Sequence, residues 1–297
     1  MNIISIGEVL WDVVGETEHL GGAPFNFAAH LSKLGHSVSF ISAVGNDARG
    51  QRILDSMAQM GLTTRYVRRV EKYPTGTARV TFDAEGQPHF VILRPAAYDF
   101  PQLTENDLAE LRSQTTDWIY FGTLQQMSPT AKEVTATLLA STKKARRFYD
   151  VNLRPDSYEP ALVRESLAHA SVVKLNDTEV AAIAQMVGQP YASLEEFCRS
   201  YSAKFGWEAV CVTRGAQGCV LLIGDEYVEA PGYAVTVADT VGSGDAFAAA
   251  FVHGFGNGWA VLRIADFANR VGALVASRPG AIPSWTIAEA EALKSQG

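Results

Sequence analysis

A glycine-rich turn near the C-terminal end of the sequence carries the clearest chemical signal in the chain. Residues 239–247 read DTVGSGDAF, and the small and apolar residues after Gly244 predict a helix. Glycines at a helix N-terminus let backbone N–H groups approach an anion, and the helix dipole adds about half a positive charge there. The segment therefore predicts a phosphate-binding turn. Asp245 falls in the first helical turn, where a carboxylate is also an ordinary stabilising residue.

A second group of polar residues stands at the end of a buried strand pattern. Residues 150–154 read DVNLR, with Asp150, Asn152 and Arg154 at alternating positions. The carboxyl ends of strands in an open parallel sheet face the ligand crevice, so Asn152 and Arg154 are candidate substrate contacts. The alternative is a loop that carries a solvated arginine.

Asn176 and Glu179 stand where another predicted strand gives way to a helix. Asn176 suits the N-cap position, and a glutamate three residues later makes the arrangement similar to a capping box. The spacing therefore predicts a helix that begins at Asn176.

The composition argues against several classes of partner. The 297-residue chain has a formal net charge of −7, so it lacks the excess of Lys and Arg that neutralises nucleic-acid phosphates. Cys198, Cys211 and Cys219 have no C-x-x-C spacing and predict neither a disulfide framework nor a zinc site. No uncharged apolar run reaches the ~18 residues of a membrane span, and the N-terminus has no basic signal-peptide region. We expect a cytoplasmic protein that binds small molecules, with neither nucleic acid nor membrane as a partner.

Strand and helix patterns alternate along the chain. Strands are predicted at Ile3–Ile6, Val38–Ala43, Trp118–Phe121, Phe148–Val151, Val172–Leu175 and Ala209–Thr213. Helices are predicted at Phe25–Leu34, Gln51–Met60, Pro129–Ala140, Asp177–Met186, Gly244–Gly254, Ala260–Ala276 and from Thr286 onward. Such alternation indicates βαβ units on a mostly parallel sheet.

Two early segments interrupt this alternation. Trp11–His19 is one of them, and Thr75–Phe82 with Pro88–Leu93 suggests an antiparallel hairpin around a turn at Glu85–Gly86. Together they predict a small second sheet. The pattern leaves open whether this sheet covers a site or only extends the large sheet.

A second glycine-rich motif supports a family resemblance. Residues 21–28 read GGAPFNFA and residues 44–50 read VGNDARG. With the later DTVGSGDAF they resemble, in order, separation and setting, the two signatures of the ribokinase-like (PfkB) carbohydrate kinase family, over nearly the whole chain. The resemblance implies a three-layer α/β/α sandwich with a mostly parallel central sheet. It further implies one domain over residues 1–297, with a small β lid from about 11–22 and 65–98.

The resemblance implies ATP-dependent phosphorylation of a small sugar at the later glycine turn. Asp245 would be the general base that accepts the proton of the attacking hydroxyl. The backbone amides would stabilise the transferring phosphoryl group; they belong to Gly242, Ser243 and Gly244.

Sugar-binding positions of the family match residues of the N-terminal part of the chain, namely Asp12, Gly22 and Asn26. A carboxylate accepts hydrogen bonds and an amide both donates and accepts them, which suits a polyol. Taken singly, Asp12 is as well explained as a turn residue and Asn26 as a helix-start residue.

The resemblance also implies a nucleotide site and two kinds of cation. The family's T-x-G-x-x-G motif and a following helix match the positions Thr213, Gly215, Gly218, Asn269 and Gly272. Mg²⁺ would be held near the ATP phosphates by Glu179 with Asn176. A K⁺ ion is a further expectation, bound mostly through backbone carbonyls near Asp239, Val241 and residues 277–284.

The choice of sugar rests on two short segments. Residues 7–12, GEVLWD, and residues 94–99, RPAAYD, look most like bacterial fructokinases, which implies conversion of D-fructose to fructose 6-phosphate. A 2-keto-3-deoxygluconate kinase, a ribokinase and a nucleoside kinase are alternatives, and Arg94 with Arg154 could clamp a sugar carboxylate. A sugar-binding regulator without catalysis is the alternative of a different class. Some relatives form homodimers through the lid, so a homodimer is also an expectation.

Overall fold

Two β-sheets organise the computed structural model, which describes residues 1–82 and 88–294. The strands are, in chain order, β1 (Asn2–Ile6), β2 (Leu10–Val14), β3 (Thr17–Gly21), β4 (Ser37–Gly45), β5 (Val67–Val70), β6 (Gly76–Phe82), β7 (Pro88–Ile92), β8 (Trp118–Gly122), β9 (Arg146–Asp150), β10 (Val172–Asn176), β11 (Ala209–Thr213), β12 (Cys219–Ile223) and β13 (Glu226–Ala230). Nine of these described strands form a sheet ordered β13-β12-β11-β10-β9-β8-β1-β4-β5. Its neighbours are parallel from β5 to β11, whereas β12 and β13 are antiparallel.

Helices cover both faces of the large sheet. They are α1 (Ala23–Lys33), α2 (Ala48–Gln59), α3 (Glu105–Ser113), α4 (Thr123–Gln126), α5 (Pro129–Ser141), α6 (Pro160–His169), α7 (Asp177–Val187), α8 (Leu194–Phe205), α9 (Ser243–Gly256), α10 (Val261–Ala276) and α11 (Ile287–Ala292). None of the helices in the described ranges has both the length and the apolar composition that crossing a membrane requires.

Side chains that alternate along each strand divide the core into two apolar clusters. Tyr120 and Phe148 join the cluster that includes Phe251 of α9, whereas Phe121 and Tyr149 join the cluster that includes Phe197 of α8. Successive strand residues point to opposite faces, so each strand contributes to both clusters. The predicted three-layer α/β/α sandwich with a mostly parallel sheet is therefore confirmed.

The second sheet has the order β3-β2-β6-β7. β2 pairs antiparallel with β3 and parallel with β6, and β6 pairs antiparallel with β7, as the hairpin prediction requires. The predicted turn at Glu85–Gly86 lies outside the described residues. The predicted lid boundaries of about 11–22 and 65–98 are too broad in one respect, because β5 is hydrogen-bonded to β4 and so belongs to the large sheet.

Several elements lie where no strand or helix was predicted from the sequence. β12, β13, α3, α6 and α8 are the largest of them. α8 does carry readable signals, because Ser193 caps its N-terminus and Gly206 ends it in the left-handed conformation. α3 carries a weaker pattern, with Leu108 and Leu111 as its buried apolar residues.

The topology brings the polar segments to one edge of the large sheet. The parallel strands β1, β8, β9, β10 and β11 all end there, so the segments that follow them lie side by side. The loop before α9 reaches the same edge, since Gly244 lies against Lys174 of β10. This edge is where the candidate site is built.

Candidate active site

The two glycine motifs meet through a direct hydrogen bond. The Asn26 side-chain amide on α1 donates to Asp245 Oδ2 on α9 over 2.8 Å, although the residues are 219 positions apart. Asp245 lies in the first turn of α9 and is buried, as is Asn26. The structure thus places a predicted base beside a predicted sugar-binding residue.

Glycine is required at two positions in these motifs. Gly242 precedes α9 with a φ of 79°, and a side chain there would place its Cβ 2.4 Å from the Ala281 carbonyl oxygen. Gly22 precedes α1 with a φ of 110°, and its Cβ would lie 2.5 Å from the carbonyl oxygen of Glu8. Both conformations and both contacts exclude other residues.

The amides at the start of α9 are not all equally available. The Ser243 N–H donates to the Thr240 carbonyl over 3.3 Å within the turn, whereas Ala246 is the first residue whose N–H donates back to Gly242. The N–H groups of an opening helical turn have no partner within the helix. The geometry therefore favours the Gly244 amide over that of Ser243 for contact with an anion.

A buried lysine lies beneath the glycine turn, and the sequence analysis missed it. Lys174 Nζ lies 3.0 Å from both carboxylate oxygens of Asp150, which also accepts a hydrogen bond from the Tyr120 hydroxyl. A Cβ on Gly244 would lie 3.5 Å from Lys174 Nζ. A charged residue inside the apolar pattern Val172–Leu175 was the available signal. Asp150 is thus paired in the interior and does not face the crevice.

The electrostatics of Asp245 suit a general base. Burial raises its pKa to about 6, and the nearby charge of Asp150 adds to this effect. The Lys174 charge, the hydrogen bond from Asn26 and the Arg154 charge act in the opposite direction. A base works best with a pKa near the working pH, so the carboxylate is mostly deprotonated at neutral pH and still able to take a proton.

The carboxyl group of Asp12, near this site, also has a raised pKa. Burial raises the pKa of Asp12 to about 6, and the positive charge of Arg154 opposes it. Asp12 lies on β2 of the second sheet, where Gly21 leaves room for its carboxylate. The charge of Arg154 acts on Asp12 and on Asp245, so all three side chains belong to one neighbourhood. Asn152, before Arg154, has a left-handed φ of 38°.

Arg94 does not have the free charge that a carboxylate clamp needs. Its guanidinium lies 2.6 Å from Asp99 Oδ1 and donates to the Leu124 carbonyl over 2.9 Å. Arg154 has a single, long hydrogen bond of 3.5 Å to the Leu153 carbonyl among the described residues. Of the predicted arginine pair, only Arg154 is therefore without an ion-pair partner among the described residues.

Asn176 and Glu179 form the capping box that their spacing predicts. Asn176 Oδ1 accepts from the Glu179 N–H over 2.9 Å, and Glu179 Oε2 accepts from the Asn176 N–H over 2.8 Å. Glu179 Oε1 also accepts from the Leu153 N–H over 2.7 Å, which ties the loop after β9 to α7. The Mg²⁺ role stays a prediction. No group of three or more His, Cys, Asp or Glu side chains converges as a metal site in the described chain.

A cavity of about 420 Å³ collects the predicted nucleotide-binding residues. Its walls include Thr213, Gly215, Gly218, Asn269 and Gly272, and it extends to Ser243 and Gly244 at the glycine turn. This size is within the range of small-molecule sites. Residues 232–235 and Val237 also line it, and no sequence motif had marked them. The predicted nucleotide-binding residues therefore surround one cavity, which reaches the glycine turn at the start of α9.

The predicted cation loops do lie together. Asp239 Oδ1 accepts from the Val241 N–H over 2.9 Å, and its Oδ2 accepts from the Gly280 N–H over 3.2 Å. Lys33 Nζ donates to the carbonyls of Ile282 and Pro283 over 3.3 and 2.7 Å. An ammonium group thus already binds two carbonyls of the loop from which K⁺ ligands were predicted. The K⁺ site stays a prediction.

Comparisons with known proteins found one matching family model and several similar chains and structures. A sequence model described as pfkB family carbohydrate kinase matches residues 4–288. Fructokinase-2 of Oryza sativa is 27% identical over 99% of this chain and 94% of its own. The crystal structure of an uncharacterized sugar kinase from Pyrococcus horikoshii in complex with ATP has a TM-score of 0.82 at 28% identity, covering 97% of this chain and 96% of that one. A Vibrio cholerae fructokinase structure with fructose, ADP and calcium has a TM-score of 0.83 at 23% identity and covers 98% of each chain.

The first prediction concerns Asp245. Asp245→Asn should lower kcat by about 10²–10⁴, the usual contribution of a general base, with little change in the Kd of ATP. Because a base acts when deprotonated, wild-type kcat/KM should fall as the pH drops through about 6. Steady-state kinetics from pH 5 to 8 measure the kcat of the variant and the pH dependence of the wild type. The apparent pKa of that pH dependence belongs to the coupled carboxyl groups together. Near wild-type turnover in the variant would remove Asp245 from the chemistry.

The second prediction concerns the Asp150–Lys174 pair. Lys174 opposes the rise of the Asp245 pKa, so Lys174→Met should move the acid limb of kcat/KM to higher pH. Removing one partner of a buried pair should also cost about 3–5 kcal/mol of stability. Adding Asp150→Asn to Lys174→Met removes the negative charge that raises the Asp245 pKa. The double variant should therefore be more stable than Lys174→Met, and its acid limb of kcat/KM should lie closer to that of wild type. An acid limb identical in wild type and Lys174→Met contradicts the coupling.

The third prediction separates the two roles of Glu179. Glu179→Gln places an amide N–H₂ against a backbone N–H, so the free energy of unfolding should fall by about 1–3 kcal/mol. If Glu179 also supports Mg²⁺, the Mg²⁺ concentration for half-maximal rate should rise. Chemical denaturation and a magnesium titration measure these effects separately. An unchanged titration with lower stability would leave only the capping role.

Proposed function

As the chain belongs to the pfkB family of carbohydrate kinases, we propose that it transfers the γ-phosphoryl group of ATP to D-fructose, giving fructose 6-phosphate and ADP. One observation carries this proposal. The nucleotide-sized cavity leads to the glycine turn of α9, on which the buried Asp245 contacts Asn26. Donor and acceptor sites thus meet at one helix N-terminus.

The residues around this helix account for the steps of the transfer. Asp245 accepts the proton of the attacking sugar hydroxyl, whose oxygen forms the new bond to phosphorus as the bond to ADP breaks. Backbone amides among Gly242, Ser243 and Gly244 stabilise the charge on the transferring group, with Gly244 the best placed. Mg²⁺, when bound near Asn176 and Glu179, supplies charge neutralisation at the phosphates. A monovalent cation near Asp239 and Val241 would act as a further activator.

The charges around the sugar end favour a neutral hexose. The Arg94 charge is compensated by Asp99, which leaves Arg154 alone among three acidic groups, Glu8, Asp12 and Asp245. Asp12 and Asp245 are mostly ionised at neutral pH and Glu8 is about half ionised, so a sugar acid would add negative charge to a neighbourhood that is already negative. Relatives named as fructokinases support the same choice.

Sugar contacts in this proposal come from both sheets. Asp12 lies on the second sheet, Gly22 and Asn26 lie at the start of α1, and Asn152 and Arg154 follow β9. A movable second sheet would act as a lid that excludes water and limits ATP hydrolysis. The same proposal includes a single domain, a homodimer through the second sheet and a cytoplasmic location. The three buried free cysteines are compatible with a cytoplasmic location.

A regulator that binds sugar without catalysis is the competing function. Such a protein has no need of a buried carboxylate with a pKa of about 6 at a phosphate-binding turn. The intact set of Asp245, Asn26 and the α9 turn therefore favours an enzyme.

The fourth prediction is the substrate preference. D-fructose should show a higher kcat/KM than ribose, 2-keto-3-deoxygluconate or adenosine in a coupled assay of ADP release. A site built around particular hydroxyls rejects analogues that lack them by up to ~10⁴. Asp245→Asn serves as the inactive control that identifies ADP from contaminating kinases. A panel led by the sugar acid would refute the charge argument, and a panel without any phosphorylated sugar would refute the kinase proposal.

A further inference from the structure

Four buried polar atoms around the sugar end have no hydrogen-bond partner among the described residues. They are Glu8 Oε2, Asn26 Oδ1, Tyr98 OH and Gln125 Oε1. Glu8 is 6% exposed, and the other three residues are 2% exposed or less. Leaving a buried polar group unsatisfied is costly, so such atoms are rare and usually mark a ligand or water position.

Glu8 lies close to the catalytic end of this group. It follows β1, and its carbonyl oxygen lies against Gly22 at the start of α1. The charges of Arg154, Asp245 and Arg94 all act on its carboxyl group. Asn26 is one helical turn beyond Gly22 and is bound to Asp245 through its amide nitrogen, which leaves its oxygen unused.

Tyr98 and Gln125 extend the group toward the second sheet. The Gln125 side-chain nitrogen donates to the Tyr98 carbonyl over 2.8 Å, so its oxygen is the atom left without a partner. The Tyr98 ring packs against Gly76 of β6, where a side chain would place its Cβ 2.6 Å from the ring. The unpartnered atoms therefore run from the Asp245 neighbourhood to the base of the second sheet.

Glu8 differs from three nearby buried carboxylates that are paired within the protein. Asp150, Asp99 and Glu179 each accept hydrogen bonds from two or more donors on other residues. Glu8 has no such partner on its Oε2, and burial raises its pKa to about 7. A carboxylate with a purely structural role would be expected to be satisfied as the other three are.

We propose that Glu8 is a sugar-binding residue whose Oε2 accepts a hydrogen bond from a substrate hydroxyl, with Gln125 and Tyr98 completing an acceptor-rich inner wall. The inference rests on the proposed function and narrows its substrate class to neutral polyols. When Glu8 is ionised, three of the four unpartnered atoms are oxygens that can accept hydrogen bonds but cannot donate them. Hydroxyl groups supply the donors that these oxygens need. A substrate carboxylate supplies no donor and would face the charge of Glu8.

The test compares Glu8→Gln with a matched variant of a distant buried carboxylate, Asp107→Asn. Asp107 lies in the first turn of α3 and is bound to Thr104 and to Arg68 of β5. Glu8→Gln should raise the KM of fructose by about 10- to 100-fold, the value of a hydrogen bond to a charged group, and leave the KM of ATP unchanged. Asp107→Asn should leave both KM values unchanged and lower the melting temperature.

Thermal unfolding supplies a readout that a structural role would not produce. Without sugar, Glu8→Gln should melt no lower than wild type, because a neutral amide replaces a buried carboxylate that has an unpartnered oxygen. The rise in melting temperature on adding fructose should shrink, since ligand stabilisation follows affinity. A variant that melts lower, with the fructose KM within about twofold of wild type, would overturn the proposal.

Deoxy analogues identify the hydroxyl that Glu8 binds. The monodeoxyfructose that lacks the hydroxyl bound by Glu8 should bind wild type about as weakly as fructose binds Glu8→Gln. The Glu8→Gln substitution should weaken the binding of that analogue little further. If every analogue loses the same factor in both proteins, the direct contact is wrong.

Failure of this inference is distinguishable from failure of the proposed function. If wild type prefers another neutral sugar, the fructose proposal fails, and the Glu8 comparison is run with the preferred sugar and its deoxy analogues. If wild type prefers 2-keto-3-deoxygluconate, the neutral-polyol class fails. If no sugar is phosphorylated, the binding of fructose to wild type and to Glu8→Gln is measured by calorimetry, which tests the Glu8 contact without catalysis. Equal affinity in the two proteins, or no binding to either, would overturn the role of Glu8.

Discussion

The balance of buried charge at the start of α9 is the constraint on which the rest of the site depends. Asp245 is held in the interior, where an isolated carboxylate would be unstable. The Asn26 amide binds it directly, while Lys174 supplies a positive charge that Asp150 and Tyr120 hold in place. These groups leave the carboxylate ionised at neutral pH with a pKa high enough to take a proton.

This balance explains why the site needs several distant segments at once. Asn26 belongs to α1, Asp150 ends β9 and Lys174 lies within β10. Parallel strands end at a common edge, so segments far apart in the chain supply charges within reach of one another. The same edge receives the loop after β1, which carries Glu8, and the cavity that ends at Gly244.

The second sheet adds residues to the sugar end of the site that the large sheet does not supply. Asp12 lies on β2, and Tyr98 packs against β6 at its base. At this junction Arg94 is paired with Asp99 and donates to the Leu124 carbonyl, so its charge is largely compensated and acts on Glu8 less than the charge of Arg154 does. The substrate class therefore depends on packing between the sheets as much as on the residues themselves.

The sequence by itself determined the layered α/β fold, the glycine turn with Asp245 in the first turn of its helix, and the capping box at Asn176. Each of these is a local pattern, because periodicity, glycine spacing and a three-residue interval act within one or two turns of chain. Only the tertiary structure decided that Arg94 is paired, that Asp150 faces Lys174 and not the crevice, and that Glu8 and Gln125 carry unpartnered oxygens. Those facts depend on which side chain meets which across the sheet, and no interval along the chain encodes the distance between residues that are far apart in sequence.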